Sequence, residues 1–398
     1  MPISIRRSSS AEGRPDVRGR DVSRGIRMTS GPSREIGQGM TKPDTGTMAK
    51  IAEATGFSIS TVSRALNRPE LVAEKTRKQV LKVADDLSFH PNRAASGLRS
   101  GSHRCLALLV GDISQPWYSM ITKSVDTVCA EHSFALQLKS FGHDRAKALS
   151  YLARIPYEGV DGIIINTGDD LGIPEIRAQL ARIVERGIHV VTIGQTIPDL
   201  DVPTILYDDY SGAEQATTHL AEAWGMPLAF LGAIRGSIPA EDRWQGFRSV
   251  VRSHGQTDGI RIVTDGYDYK AGYSAMAAHL RVGPWPRGVL ASNDQLAVGA
   301  VRAIKDLGGT VGTDIAVVGF GDLDFAPYLV PSLSSVSGSV QEIAGAATNR
   351  LISMVKGEAQ GTAIPPITAP RKLVIRESSQ PPASASGERH PQGEGAYP

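Results

Sequence analysis

The stretch TMAKIAEATGFSISTVSRALN, residues 47–67, contains two short amphipathic segments separated by Gly56. In the second segment, ISTVSRALN, apolar residues recur at 59, 62, 65 and 66, which is the spacing of one buried helical stripe. The same spacing over about 73–87 predicts a third helix. Two helices joined by a glycine-bearing turn form the helix-turn-helix arrangement, whose second helix enters the major groove of DNA.

The polar face of the second segment carries Ser60, Ser63, Arg64 and Asn67. Serine and asparagine are mediocre helix formers because their side chains compete for backbone hydrogen bonds. Short donors beside an arginine suit phosphate oxygens and base edges. An ordinary surface helix with polar filler would carry the same residues, so this face alone leaves both interpretations open.

Charge is distributed unevenly along the 398 residues. Residues 1–103 contain 18 Lys and Arg against 10 Asp and Glu, whereas the remainder contains 25 against 31. A basic N-terminal part on a mildly acidic body is typical of a nucleic-acid-binding head on a larger domain. Residues 1–46, rich in Ser, Gly, Arg and Pro, are predicted to be a disordered extension, with Met40 and Met48 as alternative starts.

After Arg104 the sequence alternates between apolar runs and helical stretches. Apolar runs of this kind predict parallel strands that are buried on both faces, within an α/β body of about two domain lengths. The runs are CLALLV (105–110), DGIIIN (161–166), HVVTIG (189–194), PLAFLG (227–232), GVLAS (288–292) and IAVVGF (315–320).

Composition and motifs exclude several classes of protein. No apolar run approaches the ~20 residues that span a bilayer, and no secretory signal is present, so a cytoplasmic location is expected. Cys105 and Cys129 lack metal-ligand or disulfide spacing and are expected to be buried free thiols. The sequence contains no nucleophile elbow, phosphate-binding loop or HExxH motif, so we expect neither catalysis nor a metal or cofactor.

The motifs resemble, in order, those of the lactose-repressor (LacI/GalR) family of bacterial transcription regulators. They are the stretch 47–67, TRKQVL, HPNRAASGLRSG, DISQPWY, DGIIIN, SNDQLAVGA and VVGFGD. The resemblance implies a helix-turn-helix head (47–90), a hinge helix (91–103) and a two-lobed effector body (104–378) like periplasmic sugar-binding proteins. It implies an N-lobe of about 104–206 and 337–360, and a C-lobe of about 207–336 and 371–377.

The resemblance also assigns roles in DNA binding. Ile59, Ser60 and Arg64 match base-reading positions, although Ile59 could belong to the core. Thr47, Thr61, Ser63 and Asn67 match phosphate contacts, and Leu98 matches the hinge leucine that wedges between base steps in the minor groove. Ser96 and Gly97 replace better helix formers, so the hinge is expected to fold only on DNA.

The positions implied for the effector lie at strand ends: Trp117, Tyr118, Asn166, Asp208, Arg243, Tyr267 and Asn293. Trp117 and Tyr118 could instead close the core, and Arg243 could form a surface ion pair with Glu241 or Asp242. The resemblance also implies that Gly194 and Gly321 occupy positions where family members often carry carboxylates that hold neutral sugars, which favours a sugar acid over a neutral sugar. The sequence leaves open whether the effector releases the protein from DNA or promotes binding.

We therefore predict a regulator, most simply a repressor, that binds double-stranded operator DNA as a homodimer under control of a sugar or sugar acid. The alternative is a transport-type sugar-binding protein without a role on DNA. The segment 379–398 is predicted to be a disordered tail. It has no leucine heptads, so no coiled-coil tetramer is expected.

Overall fold

The computed structural model describes residues 48–67, 71–89, 102–232, 236–358 and 366–381. The chain divides into two units, residues 1–90 and 91–398, which are described separately below. Residues 91–101 of the predicted hinge helix, with Leu98, and the extension 1–46 lie outside the described residues, as do Thr47 and the side chain of Asn67.

In residues 48–67 and 71–89, the described part of the first unit, called the head, there are three α-helices: α1 (Met48–Thr55), α2 (Ile59–Asn67) and α3 (Glu74–Asp86). Gly56, between α1 and α2, has a φ of 72°, a left-handed conformation that glycine adopts without steric cost. The core of the head is formed by one cluster of small and branched side chains: Ile51, Val62, Ala65, Val80 and Ala84.

One residue of the predicted stripe on α2 does not join this core. Val62 and Ala65 are buried, but Ile59 is 55% exposed. Ile59 is the first residue of the helix, so its side chain projects beyond the contact between α2 and the other two helices. The alternative that Ile59 belongs to the core of the head is therefore wrong.

The second unit, the body, contains twelve strands and eight helices in the described part of the chain. The strands are β1 (Cys105–Val110), β2 (Ala135–Ser140), β3 (Gly162–Asn166), β4 (His189–Ile193), β5 (Thr204–Tyr207), β6 (Leu228–Leu231), β7 (Ile260–Ile262), β8 (Gly288–Ala291), β9 (Ala316–Gly321), β10 (Ser334–Gly338), β11 (Ile367–Ala369) and β12 (Arg371–Val374). The helices are α4 (Pro116–Glu131), α5 (Arg145–Arg154), α6 (Pro174–Glu185), α7 (Asp209–Trp224), α8 (Ile238–Ser253), α9 (Tyr269–Val282), α10 (Asp294–Asp306) and α11 (Val340–Val355).

The strands form two six-stranded sheets, one in each lobe. The N-lobe sheet has the order β11-β5-β4-β3-β1-β2 and is parallel throughout. The C-lobe sheet has the order β12-β10-β9-β8-β6-β7 and is parallel except for β12, which pairs antiparallel with β10. Such sheets need apolar helices on both faces.

Each sheet is covered on both faces by hydrophobic clusters. In the N-lobe, α4 and α11 pack on one face and α5 and α6 on the other. In the C-lobe, α9 and α10 pack on one face and α7 and α8 on the other. Together with the helical head, this confirms the predicted fold class. Cys105 and Cys129 are buried free thiols, as the sequence predicted.

The end of the chain differs from the prediction in two places. The C-lobe strand predicted near 371–377 is present as β12, but the sequence missed β11, which joins the N-lobe sheet just before Pro370. The sequence also began the disordered tail at Ser379, but Ser379 is fully buried. Its carbonyl oxygen accepts a hydrogen bond from the Trp224 indole at 2.9 Å, and His219 contacts the same residue. Contacts with Trp224 and His219, which are distant in sequence, therefore hold Ser379 in the fold of the body.

None of the helices in the described ranges has the length and apolar character needed to cross a bilayer. Within the same ranges, no three His, Cys, Asp or Glu side chains come together in a way that could hold a metal ion.

Candidate functional site

A cavity, here called the cleft cavity, lies between the two lobes at the carboxyl ends of their strands. This is the edge at which open parallel sheets bind ligands. It has about 90 Å³ of free space, enough for several water molecules at roughly 10–15 Å³ each. Its wall is formed by Gln115, Trp117, Tyr118, Asn166, Thr167, Gly168, Gly194, Tyr207, Asp209, Ser237, Pro239, Ala240, Arg243, Tyr267, Ser292, Asn293, Gln295, Phe320, Gly321, Leu323 and Arg371.

Three charged side chains on this wall form one buried cluster. Asp209 Oδ1 accepts hydrogen bonds from Arg371 Nε at 2.8 Å and Nη2 at 2.6 Å. Asp209 Oδ2 accepts one from Arg243 Nη2 at 3.0 Å, and Arg243 Nη1 donates to the carbonyl of Ser292. Burial alone would raise the pKa of Asp209, but the two arginines hold it below its usual value. Arg243 therefore pairs with Asp209, and not with Glu241 or Asp242.

The cavity wall carries Asp209 in place of the predicted Asp208. Asp208 is the N-cap of α7, and its carboxylate accepts a hydrogen bond from the amide of Ser211 at 3.1 Å. Adjacent residues point in different directions where a strand gives way to a helix, so only the second carboxylate of the pair reaches the cavity. The helical start at Asp209 depends on tertiary packing, which the sequence pattern did not resolve.

The predicted aromatic residues Trp117 and Tyr118 both line the cavity, with different surroundings. Trp117 is half-buried and makes an edge-to-face contact with Tyr207, with ring centroids 5.4 Å apart. Tyr118 is buried, and its hydroxyl accepts a hydrogen bond from the amide of Gly168 at 3.2 Å. Burial raises the pKa of Tyr118 well above its usual value. Trp117 thus offers an aromatic face, while Tyr118 braces a neighbouring loop.

The two predicted asparagines also line the cavity. Asn293 caps α10 through Oδ1, which accepts from the amide of Leu296 at 2.7 Å, and its Nδ2 donates to the carbonyl of Tyr267. Asn166 Nδ2 donates to the carbonyl of Ile193 at 3.1 Å, but its buried Oδ1 has no hydrogen-bond partner among the described residues. Asn293 therefore shapes the site, whereas Asn166 has an acceptor free for a ligand.

Tyr267, also predicted, takes part in a contact between the lobes. Its ring stacks on His143 of the N-lobe, with centroids 4.9 Å apart. His143 Nδ1 lies 2.8 Å from Asp169 Oδ2, and the amide of Ile238 in the C-lobe donates to the carbonyl of Gly168 at 3.0 Å. These contacts hold the two lobes together along one side of the cavity.

Gly194 and Gly321 line the cavity in left-handed backbone conformations, with φ of 95° and 129°. A Cβ on Gly321 would lie 3.3 Å from Oδ2 of Asp294, which is fully buried behind it. The carboxyl of Asp294 accepts hydrogen bonds from the Ser335 hydroxyl at 2.5 Å and from the amide of Leu323 at 2.8 Å. Burial raises the pKa of Asp294 to about 6.

Arg371, Asp209 and Tyr207 line the cavity although the sequence did not predict them there. Arg371 is 5% exposed, and its guanidinium carbon lies 4.3 Å from the ring centroid of Tyr207 and 5.4 Å from that of Trp117. Its one signal in the sequence is an arginine beside Pro370 at the start of a short strand, which is too common a pattern to identify a site. Nothing in the sequence around Arg371 predicts a contact with Asp209.

In the head, the predicted DNA-reading residues that the structure describes lie on α2 and are at least partly exposed. Ile59, Ser60 and Arg64 are exposed, and Thr61 and Ser63 are partly exposed. The Ser58 hydroxyl accepts from the amide of Thr61 at 3.2 Å and lies within 2.9 Å of the hydroxyls of Ser60 and Thr61. Ser58 thus caps α2 and fixes its first turn.

The chemistry available in the cleft cavity is that of binding. Guanidinium groups, an amide oxygen and aromatic faces suit hydroxyl groups, oxyanions and the apolar face of a sugar ring. Both lobes contribute side chains to the wall of the site, so a bound molecule would touch both.

Two family models match the chain. Residues 47–92 match the bacterial regulatory proteins of the lacI family, and residues 103–375 match the periplasmic binding proteins and sugar binding domain of the LacI family. Among curated relatives, the ribose operon repressor of Halalkalibacterium halodurans is 28% identical over 341 residues, covering 84% of this chain and 97% of the relative. The transcriptional regulator DegA of Bacillus subtilis is 28% identical over 336 residues, covering 84% and 98%.

Among solved structures, the lac repressor dimer bound to operator and the anti-inducer ONPF has a TM-score of 0.73 at 22% identity. The match covers 84% of this chain and 99% of the repressor chain, which shows a common fold. The two family matches together span the head and both lobes. The chain therefore belongs to the LacI family of bacterial regulatory proteins, and is a DNA-binding transcriptional regulator with a sugar-binding domain and not an enzyme.

Proposed function

We propose that this regulator is a cytoplasmic repressor whose affinity for a near-palindromic operator is controlled by a sugar or sugar acid in the cleft cavity. The observation that carries the proposal is the cavity itself. It lies between the lobes and is walled by both, so a ligand that binds there interacts differently with different lobe arrangements. In this proposal, residues 47–90 read the DNA, residues 91–103 form the hinge, and residues 104–378 bind the effector and dimerise.

For the DNA contact, Ile59, Ser60 and Arg64 would read base edges in the major groove. The exposure of all three on α2 supports this assignment. Thr47, Thr61, Ser63 and Asn67 would bind phosphates, and Leu98 would wedge into the minor groove; these roles come from the family pattern.

For assembly, we propose a homodimer. The lac repressor, which shares the fold, is a dimer bound to its operator in its solved structure. Two linked heads gain effective concentration, because binding of the first half-site brings the second head close to the other.

For control, the effector would be held by Arg243 and Asn166 against Trp117, with Tyr118, Tyr267 and Asn293 shaping the wall. Its coupling to DNA binding should be on the scale of ~1–3 kcal/mol, which is typical of such linkage. An inducer would favour the lobe arrangement that releases DNA. A co-repressor would favour the other arrangement, and the same cavity serves either sign.

The test uses the full chain. An operator is first selected from a random DNA pool, and its affinity is measured by fluorescence anisotropy with and without sugars and sugar acids that raise the melting temperature of the protein. We expect at least one such ligand to change the operator affinity by about 5–150-fold, the range that corresponds to the coupling above. If ligands stabilise the protein without changing operator affinity, or if no DNA sequence is selected, the proposed function is refuted.

A further inference from the structure

The charged groups on the wall of the cleft cavity do not balance. Among the described residues that line it, the charged side chains are Asp209, Arg243 and Arg371, which leaves one positive charge in excess. An uncompensated charge in a buried site is costly unless a counter-charge accompanies it. A ligand carrying one negative charge would supply the counter-charge.

The carboxylate in this cluster is already committed to the two arginines. Oδ1 of Asp209 already accepts two hydrogen bonds from Arg371, and Oδ2 accepts one from Arg243. By contrast, Arg243 Nε and Arg371 Nη1 are buried donors without a hydrogen-bond partner among the described residues. Both oxygens of the one carboxylate are therefore engaged, whereas two of the guanidinium nitrogens have no acceptor among the described residues.

Arg371 sits in a slot that two glycines make possible. A Cβ on Gly212 would lie 2.8 Å from Cβ of Arg371, and a Cβ on Gly338 would collide with its Nη1. The guanidinium also lies over Phe320, with its carbon 5.0 Å from the ring centroid. Glycines at both contact points and aromatic rings around the guanidinium fix this arginine at the cavity wall.

Two uncharged polar atoms on the wall also lack hydrogen-bond partners among the described residues, and they suit hydroxyl groups of a ligand. Buried Asn166 Oδ1 is an acceptor without a partner, so it suits a hydroxyl group, while the unpaired Tyr207 hydroxyl can donate or accept. Asp294, the carboxyl behind Gly321, is already bound to Ser335 and to a backbone amide, so it does not offer a hydrogen bond to the arginines.

We propose that the effector is a polyhydroxy monocarboxylate, with its carboxylate bound by Arg243 and Arg371 and its hydroxyls by the rest of the wall. Arg371 is then a specificity-determining residue that selects acids over neutral sugars. This inference rests on the proposed function for the location of the effector, and it adds the chemical class and the second arginine.

The test compares acids with their neutral parents on the full chain. The probes are D-gluconate with D-glucose, D-galacturonate with D-galactose, and D-ribonate with D-ribose, with the dianion D-glucose 6-phosphate added. Melting temperature and calorimetric affinity are measured for each. We expect at least one carboxylate to bind at least 10-fold more tightly than its neutral parent and more tightly than the phosphate.

The variant Arg371→Met removes the excess charge but leaves Asp209 paired with Arg243, so no carboxylate is buried alone. We expect the ratio of its affinity for the acid to its affinity for the neutral parent to fall at least 10-fold. Arg371→Lys, which keeps the charge, should recover part of the preference. Arg376→Met is the matched control, because Arg376 lies on the same C-terminal segment and pairs at 2.8 Å with Asp322 outside the cavity wall.

Several results would overturn the inference: no carboxylate of the set stabilises the protein, a neutral sugar or the phosphate binds as tightly as every acid, or both Arg371 variants keep wild-type acid affinity. Operator binding distinguishes these failures from failure of the proposed function. A neutral sugar that changes operator affinity would refute the inference and leave the regulator intact, whereas a bound acid with no effect on operator affinity would refute the regulation alone.

Discussion

Replacing Asp209 with asparagine removes the charge that holds two buried guanidinium groups together. The side chains of Asp209 and Arg371 are 5% and 1% exposed, and that of Arg243 is 15% exposed. Asparagine has nearly the same shape, but its amide nitrogen would face a guanidinium donor in place of an acceptor. The substitution therefore tests the charge and leaves the volume of the core unchanged.

The expected cost follows from the loss of compensation. Removing one partner of a buried ion pair typically costs about 3–5 kcal/mol, because the remaining charge stays buried. Here two arginines share the lost carboxylate, and neither has another carboxylate partner among the described residues within salt-bridge distance. For a body of this size, 1 kcal/mol shifts the melting temperature by about 2 °C, so we expect a fall of roughly 6–10 °C.

The assay is thermal unfolding of Asp209→Asn at pH 7.5 in Tris chloride, free of carboxylate buffers, followed by circular dichroism. Asp208→Asn is the matched control, since its carboxylate only caps α7 and asparagine is an equally good N-cap. The control should change the free energy of unfolding by less than about 1 kcal/mol. Adding a carboxylate ligand should restore more stability to Asp209→Asn than to the wild type.

A melting temperature of Asp209→Asn within 2 °C of that of Asp208→Asn would refute this reasoning. It would mean that water or backbone rearrangement compensates the two arginines. The cavity wall would then carry no uncompensated positive charge for a ligand to neutralise.

Three further predictions concern the head and the pH dependence of binding. Arg64→Ala should cost ~1–3 kcal/mol and relax base preference in operator selection, whereas Ser63→Ala should weaken binding to all sequences alike; an unchanged selected motif for Arg64→Ala contradicts the assignment. Ile51→Ala, at a fully buried site, should cost about 2–5 kcal/mol and abolish operator binding while ligand-induced stabilisation of the body persists; the exposed Leu81→Ala is the control, and retained operator binding by Ile51→Ala would count against the small core. Because burial raises the pKa of Asp294 to about 6, its carboxyl becomes neutral as the pH falls from 7.5 to 5, while a carboxylate ligand with a pKa near 4 stays charged. Calorimetric affinity for the acid should therefore rise over that range, and a flat or falling affinity would contradict it.

The strands and helices could be predicted because their signals are local. A buried parallel strand needs a continuous apolar run, and an amphipathic helix needs a repeat of three to four residues, so both patterns are visible without knowledge of any contact. The six predicted strand segments, from CLALLV to IAVVGF, all became strands. The three helices of the head were found within two residues of their predicted bounds.

Which residue of a pair reaches the cavity depended on geometry that the pattern does not contain. Asp208 and Asp209 have the same chemistry and adjacent positions, but one caps a helix and the other binds two arginines. Ile59 fits the apolar period of α2 and is nevertheless exposed, because burial requires a neighbouring element as well as the right face.

By itself, the sequence determined the order of the elements, the α/β class of the body, the helix-turn-helix head and the ends of strands at which a ligand would be bound. Only the tertiary structure decided the charge of the cavity. Arg371 and Asp209 are 162 positions apart, and they meet because β12 pairs antiparallel with β10 beside the start of α7. Side chains that interact across such a separation share no local period or spacing, so their contact exists only once the sheets and helices have packed.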